Sequence, residues 1–190
     1  MPAVFLVSDT HFGHAGVCRF THPDDSSVKL RPWTDPDEMD EEMVKRWNET
    51  VRPNDKVYHL GDVVINRKAL PTLSRLNGDK VLIRGNHDIF RDDEYRQYFR
   101  ELRAYHVMNG MILSHIPIHT ESLGRFGTNI HGHLHAYRVM WEDPLNAFES
   151  KVDPRYHCVC VEQTDFAPIL FEDVIKRIEA RSEEHTSELQ

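Results

Sequence analysis

Five short blocks occur along the chain in the order Asp9-Thr10-His11, Gly61-Asp62, Gly85-Asn86-His87-Asp88, His115 and Gly132-His133-Leu134-His135. Asp, Asn and His together carry the oxygen and nitrogen lone pairs that suit manganese, iron or zinc. Sites of oxygen alone suit magnesium or calcium. Taken singly, each block is a common pattern, and a lone buried histidine is more often a satisfied core residue. The ordered set is hard to obtain by chance, because each block follows a short run read as a strand. In α/β sheets, ligands bind beyond the carboxyl ends of strands, where loops gather distant residues over a rigid support. Histidine is abundant, 13 of 190 residues, and eight of the 13 belong to these blocks or flank them.

The set resembles the calcineurin-like metallophosphoesterase family, whose five motif blocks are all present between residues 9 and 135. The resemblance implies an α/β fold, a two-sheet αββα sandwich with the active site at the C-terminal ends of strands. It implies two divalent ions per chain. The first takes Asp9, His11, Asp62 and His135; the second takes Asp62, Asn86, His115 and His133. Residue chemistry agrees with this. The two carboxylate oxygens of Asp62 can bridge ions about 3.5–4 Å apart, and Asn86 adds an oxygen without charge. Asp9 and His11 would leave the same side of an extended chain. His133 and His135 can share one ion or take one each. Manganese is the expected metal, with iron, zinc, nickel or cobalt as alternatives. The implied reaction is in-line attack on a phosphoester by a metal-activated hydroxide. His87 is the expected donor of a proton to the leaving oxygen, and Asp88 is expected to orient His87 through its other ring nitrogen.

Several further residues stand near the blocks. His14 could line the substrate entrance or lie on the surface, and His119 is equally open. Arg84 could hold phosphate or form a salt bridge. His131 reads as structural, and His59 as a packed strand residue. Departures from the motifs narrow the subclass. Protein Ser/Thr phosphatases carry Asp-Arg-Gly soon after Gly-Asp and Glu after Gly-Asn-His; here Val63-Val64-Ile65-Asn66-Arg67 follows Asp62, and position 88 is Asp. The runs Asp9 to His14 and Arg31-Pro32-Trp33 to Trp47-Asn48 are similar to one subgroup of small prokaryotic and phage-type phosphoesterases, except for Gly16 where Asn is usual. The expected activity is hydrolysis of small phosphodiesters, with a phosphomonoesterase or a non-catalytic scaffold of the same fold as alternatives.

Strands are expected over residues 3–8, 56–60, 81–84, 111–114, 128–130 and 156–162. A helix begins at Asp35, with Pro36 in its first turn and Met39, Met43, Trp47 and Val51 forming one apolar stripe. Further helices are expected over 68–76, stopped by Asn77-Gly78, over 92–102 and over 171–180. Residues 1–180 read as a single domain, with 21–35 as a candidate lid loop at the surface.

The net charge of −8 and pI near 5.9 speak against stable duplex nucleic-acid binding, which needs a basic stripe. A small phosphoester remains compatible, because bound metal ions reverse the local field. Three cysteines, Cys18, Cys158 and Cys160, read as free thiols of a reducing compartment. No apolar run approaches the roughly 18 residues of a membrane helix. The expected location is cytoplasmic. Residues 181–190, RSEEHTSELQ, read as the in-frame translation of a common sequencing adapter and are set aside. Without them 22 basic residues face 28 acidic ones, a charge of −6.

Overall fold

The computed structural model describes residues 2–22, 24–143 and 146–188. In chain order the elements are β1 (Val4–Val7), α1 (Pro36–Thr50), β2 (Lys56–His59), β3 (Asp79–Ile83), α2 (Asp92–Tyr95), β4 (Glu101–Arg103) and β5 (His106–Met108). They continue with β6 (Met111–Ser114), β7 (Asn129–His131), β8 (Met140–Asp143), β9 (Asn146–Val152), β10 (Tyr156–Cys158), β11 (Ile169–Leu170) and α3 (Phe171–Glu188). The first sheet has the order β11-β1-β2-β3-β4, parallel except for β11. The second has the order β10-β7-β6-β5, with only β5 antiparallel. β8 and β9 form a separate antiparallel hairpin.

Strand periodicity divides the core. Phe5 and Val7 point with Val57 and Leu82 toward α1, where Met39, Met43 and Trp47 bury the expected stripe. Leu6, Tyr58, Val81 and Ile83 point the other way and meet Met111, Leu113 and Ile130 of the second sheet, joined by Phe171 and Val174 of α3. The two sheets thus pack face to face, as expected of the mixed α/β two-sheet architecture. α1 starts as its sequence dictates: Asp35 accepts the Asp37 amide hydrogen at 2.9 Å and Pro36 opens the first turn.

Several boundaries differ from expectation. Residues 67–75 form a 3₁₀ helix capped by Asn66, with Pro71 inside it. Proline lacks the amide hydrogen that an α-helix needs there. The helix expected over 92–102 is a single turn; residues 101–103 instead pair with β3, satisfying an otherwise bare sheet edge. The strand expected over 156–162 stops at Cys158, and Val161–Gln163 is a 3₁₀ turn. Between them Ser8 and Cys160 form an isolated parallel bridge, which ties the end of β1 to this segment. The 21–35 loop is not merely superficial: Arg31 is 0% exposed and Trp33 is buried. Residues 171–188 are helical, so part of the segment set aside above continues α3. No helix among the described residues is long and apolar enough to cross a membrane.

Trp47 sits at the centre of the α1 packing, with its ring nitrogen donating to the Asn77 carbonyl oxygen at 2.9 Å. Trp47→Ala is expected to lower unfolding free energy by about 3–5 kcal/mol. Urea denaturation checks this; an unchanged midpoint would mean that α1 contributes little to the core.

Candidate metal centre

β1 ends at Val7, and the chain then turns sharply. Asp9 and His11 have φ of 58° and 50°, in the left-handed region. Their amides donate to the carbonyl oxygens of Gly61 and Asp62, each at 3.0 Å, so the loops after β1 and β2 are bonded together. Asp62, His133 and His135 are left-handed as well. The expectation of an extended Asp9-Thr10-His11 is therefore corrected: the two side chains converge because the backbone curls, not because strand residues alternate.

One oxygen of Asp9 is held in place. Oδ2 accepts from the Ser8 hydroxyl at 2.5 Å, the His133 amide at 2.8 Å and the Cys160 thiol at 3.1 Å. Oδ1 is buried without a hydrogen-bond partner, and so are both ring nitrogens of His11. Gly132 makes this approach possible: a Cβ there would overlap Ser8 Oγ and Asp9 Oδ2. Asp9, His11 and His135 form one group whose ligand-type atoms lie within 4.8 Å of one another, and Asp62, His115 and His133 form a second. Asp62 Oδ2 stands 3.7 Å from His11 Nε2 and 3.4 Å from His115 Nε2, between the two groups.

Hydrogen bonds fix where the imidazole lone pairs point. His115 Nδ1 donates to the Leu60 carbonyl oxygen at 2.8 Å, which leaves Nε2 facing Asn86 Oδ1, 2.8 Å away. His135 Nδ1 donates to Glu162 Oε1 at 2.9 Å, which turns its Nε2 toward Asp9 Oδ1 at 3.9 Å. Burial alone would lower the pKa of both histidines. For His115 the Asp62 and Asp9 carboxylates outweigh it, and for His135 Glu162 and Asp9 do, so both are raised. Burial would raise Asp9, but the neighbouring histidines hold it well below the usual carboxylate range. These convergent donors, with Asp9 Oδ1 and both His11 nitrogens buried and unpartnered, fit a pair of divalent ions.

Asp88 is placed otherwise than expected. Its Oδ2 accepts from the amides of Asp62 at 2.8 Å and Gly85 at 2.7 Å, and its Oδ1 from Val63 at 3.0 Å. It ties the Asp62 loop to the Asn86 loop rather than orienting the His87 ring, because a buried carboxylate is best satisfied by convergent amides. His87 is exposed, with its ring 5.7 Å from His11 and its amide donating to Asp62 Oδ1. His14 does gather here, 5.6 Å from the His11 ring, and burial followed by the charge of His11 pushes its pKa down to about 4. Arg84 is occupied by Asp92 and by the carbonyl oxygens of Asp88 and Phe90, the salt-bridge alternative. His119 caps the 3₁₀ helix at 120–125 by accepting the Glu121 amide hydrogen. His131 is buried, and Nδ1 donates to the Gly132 carbonyl oxygen.

Four supporting residues were not foreseen. Arg31 donates to the carbonyl oxygens of Asp9 at 2.6 Å and Thr10 at 2.9 Å, and its Nε and Nη2 reach Glu162 at 2.8 and 2.7 Å. Cys160 and Ser8 complete the bonds to Asp9. The Ser8 hydroxyl, next to a ligand-type aspartate, was the one local signal available. His59, read as packed, is also a connector: Nδ1 accepts from the Gly61 amide and Nε2 bonds Thr10 Oγ1 at 3.0 Å. Burial keeps its pKa near 3, so it stays neutral.

A sequence model of calcineurin-like phosphoesterases matches residues 3–176. The chain belongs to the calcineurin-like phosphoesterase family. It is 33% identical to the uncharacterized protein MJ1445 of Methanocaldococcus jannaschii over 183 residues, 94% of this chain and 93% of that one. Among solved structures it is similar to AQ665 from Aquifex aeolicus, a protein of unknown function. That match has a TM-score of 0.60 and 24% identity, and covers 93% of this chain and 99% of the other. A novel archaeal phosphodiesterase aligns with a TM-score of 0.40 and 18% identity over 80% of this chain and 83% of its own.

Glu162 anchors the outer nitrogen of His135, and such carboxylates set ligand basicity and orientation. Glu162→Gln is expected to weaken metal binding by about 10–100-fold, read by competition with a chelator. Unchanged affinity would separate Glu162 from the centre.

Proposed function

We propose that this phosphoesterase is a dinuclear metal-dependent phosphodiesterase acting on small phosphodiesters. The observation that carries the reading is the convergence of Asn86 Oδ1, His115 Nε2 and Asp62 Oδ2 beside the buried, unpartnered Asp9 Oδ1. Asp9, His11, Asp62 and His135 would hold one ion, and Asp62, Asn86, His115 and His133 the other. When bound, the ions supply positive charge to the phosphoryl oxygens and lower the pKa of water; manganese suits this mixed Asp, Asn and His donor set.

The protein's own groups do the rest. His87 sits exposed beside Asn86, with its backbone fixed by Asp62 and its ring facing His11. It is the group placed to hold a proton for the leaving oxygen. Asp88 holds the Asp62 and Asn86 loops in register, so both ends of the donor set move together. His14, kept neutral, lines the same side of the centre and leaves the approaching phosphate a hydrogen-bonding partner without a second charge. The diester preference rests on the resemblance of the Asp9–His14 and Arg31–Asn48 runs to small phosphoesterases and on the departures from the protein-phosphatase pattern after Asp62 and at Asp88. The complete donor set argues against a scaffold. The three cysteines are unpaired, which supports a cytoplasmic setting, and the acidic surface favours a small substrate over duplex nucleic acid.

Hydrolysis of bis-p-nitrophenyl phosphate is expected with manganese and is expected to stop with a chelator. Turnover of p-nitrophenyl phosphate alone would replace the diester reading by a monoesterase. Asp62→Asn is expected to abolish turnover and to reduce metal content. His87→Ala should retain both ions yet lose about 10²–10⁴-fold in kcat, most with a poor leaving group. Loss of metal in His87→Ala would remove His87 from the proton-donor role.

A further inference from the structure

Glu162, whose Oε1 holds His135, also lines a cavity of about 280 Å³. None of the residues expected to bind metal lines it. Its walls come from His22, Lys29 and Leu30, from Ala136 and Arg138 after His135, from the segment around Cys158 and from α3. Three cations face it from three of these elements: Lys29, Arg138 and Arg177. Lys29 and Arg138 have no salt bridge or hydrogen bond among the described residues, and Arg177 reaches only the Gln163 carbonyl oxygen at 3.5 Å. Arg181 borders the cavity too and is already engaged with His157. Among the described residues Glu162 is the only carboxylate in the lining, and Arg31 pairs with it at 2.7 Å.

Three cations around one already paired carboxylate make a positive hollow in a chain of net charge −8. Like charges gathered from separate elements repel and cost stability unless an anion joins them. Leu30, Val159 and Val174 form apolar parts of the wall, and a lower local dielectric strengthens the attraction for an anion that enters. Two arginines and a lysine on separate elements suit an oxyanion with several acceptor oxygens rather than a carboxylate held by one fork.

We propose that this cavity is a second anion site, built for a phosphate-class oxyanion. The oxyanion is either free phosphate or a second, non-reacting phosphate carried by the substrate. The site adjoins the metal centre through Glu162, the residue shared by cavity wall and His135. Binding is independent of the phosphodiesterase reading, because it needs no turnover.

The test is calorimetric titration of inorganic phosphate, at low ionic strength, into Asp62→Asn protein. This background removes the carboxylate that would be shared by the two ions. Binding is expected there, and adding Lys29→Ala and Arg138→Ala should weaken it by roughly tenfold or more. Both exposed side chains lie outside the core, and circular dichroism confirms folding of each variant. No phosphate binding in Asp62→Asn, or binding unaltered by the two alanines, would overturn the proposal. Kinetics of the enzyme with its metal centre intact separate the sources. If the anion is free phosphate, it changes kcat for bis-p-nitrophenyl phosphate in the wild type but not in the double variant. If it is the substrate's own, the double variant raises KM for a diester bearing a second phosphate and leaves KM for bis-p-nitrophenyl phosphate unchanged.

Discussion

Arg31 has no exposure, so each of its donors must find an acceptor inside the protein. It finds them in the carbonyl oxygens of Asp9 and Thr10 and in Glu162, a residue 131 positions away. A buried guanidinium left without its carboxylate costs several kcal/mol, which makes the pairing close to obligatory. Three otherwise independent segments are therefore closed on one another: the 21–35 loop, the turn after β1 and the segment after β10. The turn after β1 carries Asp9 and His11, and Glu162 carries the outer nitrogen of His135. One ion pair thus fixes both sides of the first group of donors before any metal enters.

That clasp explains how an unfavourable backbone persists. Asp9, His11, Asp62, His133 and His135 all have positive φ, which costs roughly 1–2 kcal/mol for each non-glycine residue. Such strain survives only where the surroundings over-determine it. Here they do, through the amide bonds from Asp9 and His11 to the Gly61 loop, the three amides that converge on Asp88, and the hydroxyl, amide and thiol that hold Asp9. Gly85 and Gly132 let carboxylates approach the backbone where a methyl group would collide. The donors are consequently aimed in advance, as metal sites of high affinity require.

What could be read from the chain follows from the range of each interaction. The Asp35 cap and the Met39–Met43–Trp47 stripe depend on neighbours within a few residues, and both appear as expected. The motif blocks were visible because each stands at the end of an apolar run. β4, three residues long, carries no period of its own; it exists because β3 has a free edge, and a helical reading of 92–102 missed it. Asp88 was assigned to its neighbour His87, whereas its partners are amides 25 and 26 residues upstream as well as the nearby Gly85. Glu162 and Cys160 lie outside any block, and only the folded chain brings them to His135 and Asp9.

The donors are drawn from both layers. Asp9, His11, Asp62 and Asn86 follow strands of the first sheet, while His115, His133 and His135 follow strands of the second. Each donor group takes members from both. An occupied centre would act as a rivet through the seam of the sandwich, with the apolar residues between the sheets as its adhesive. The resistance of the seam to opening would then rise with the logarithm of free metal concentration. Shape and cargo would be linked: a chain stripped of its ions loses a fastener as well as a reagent, and scarcity of metal is felt first as looseness between the two layers.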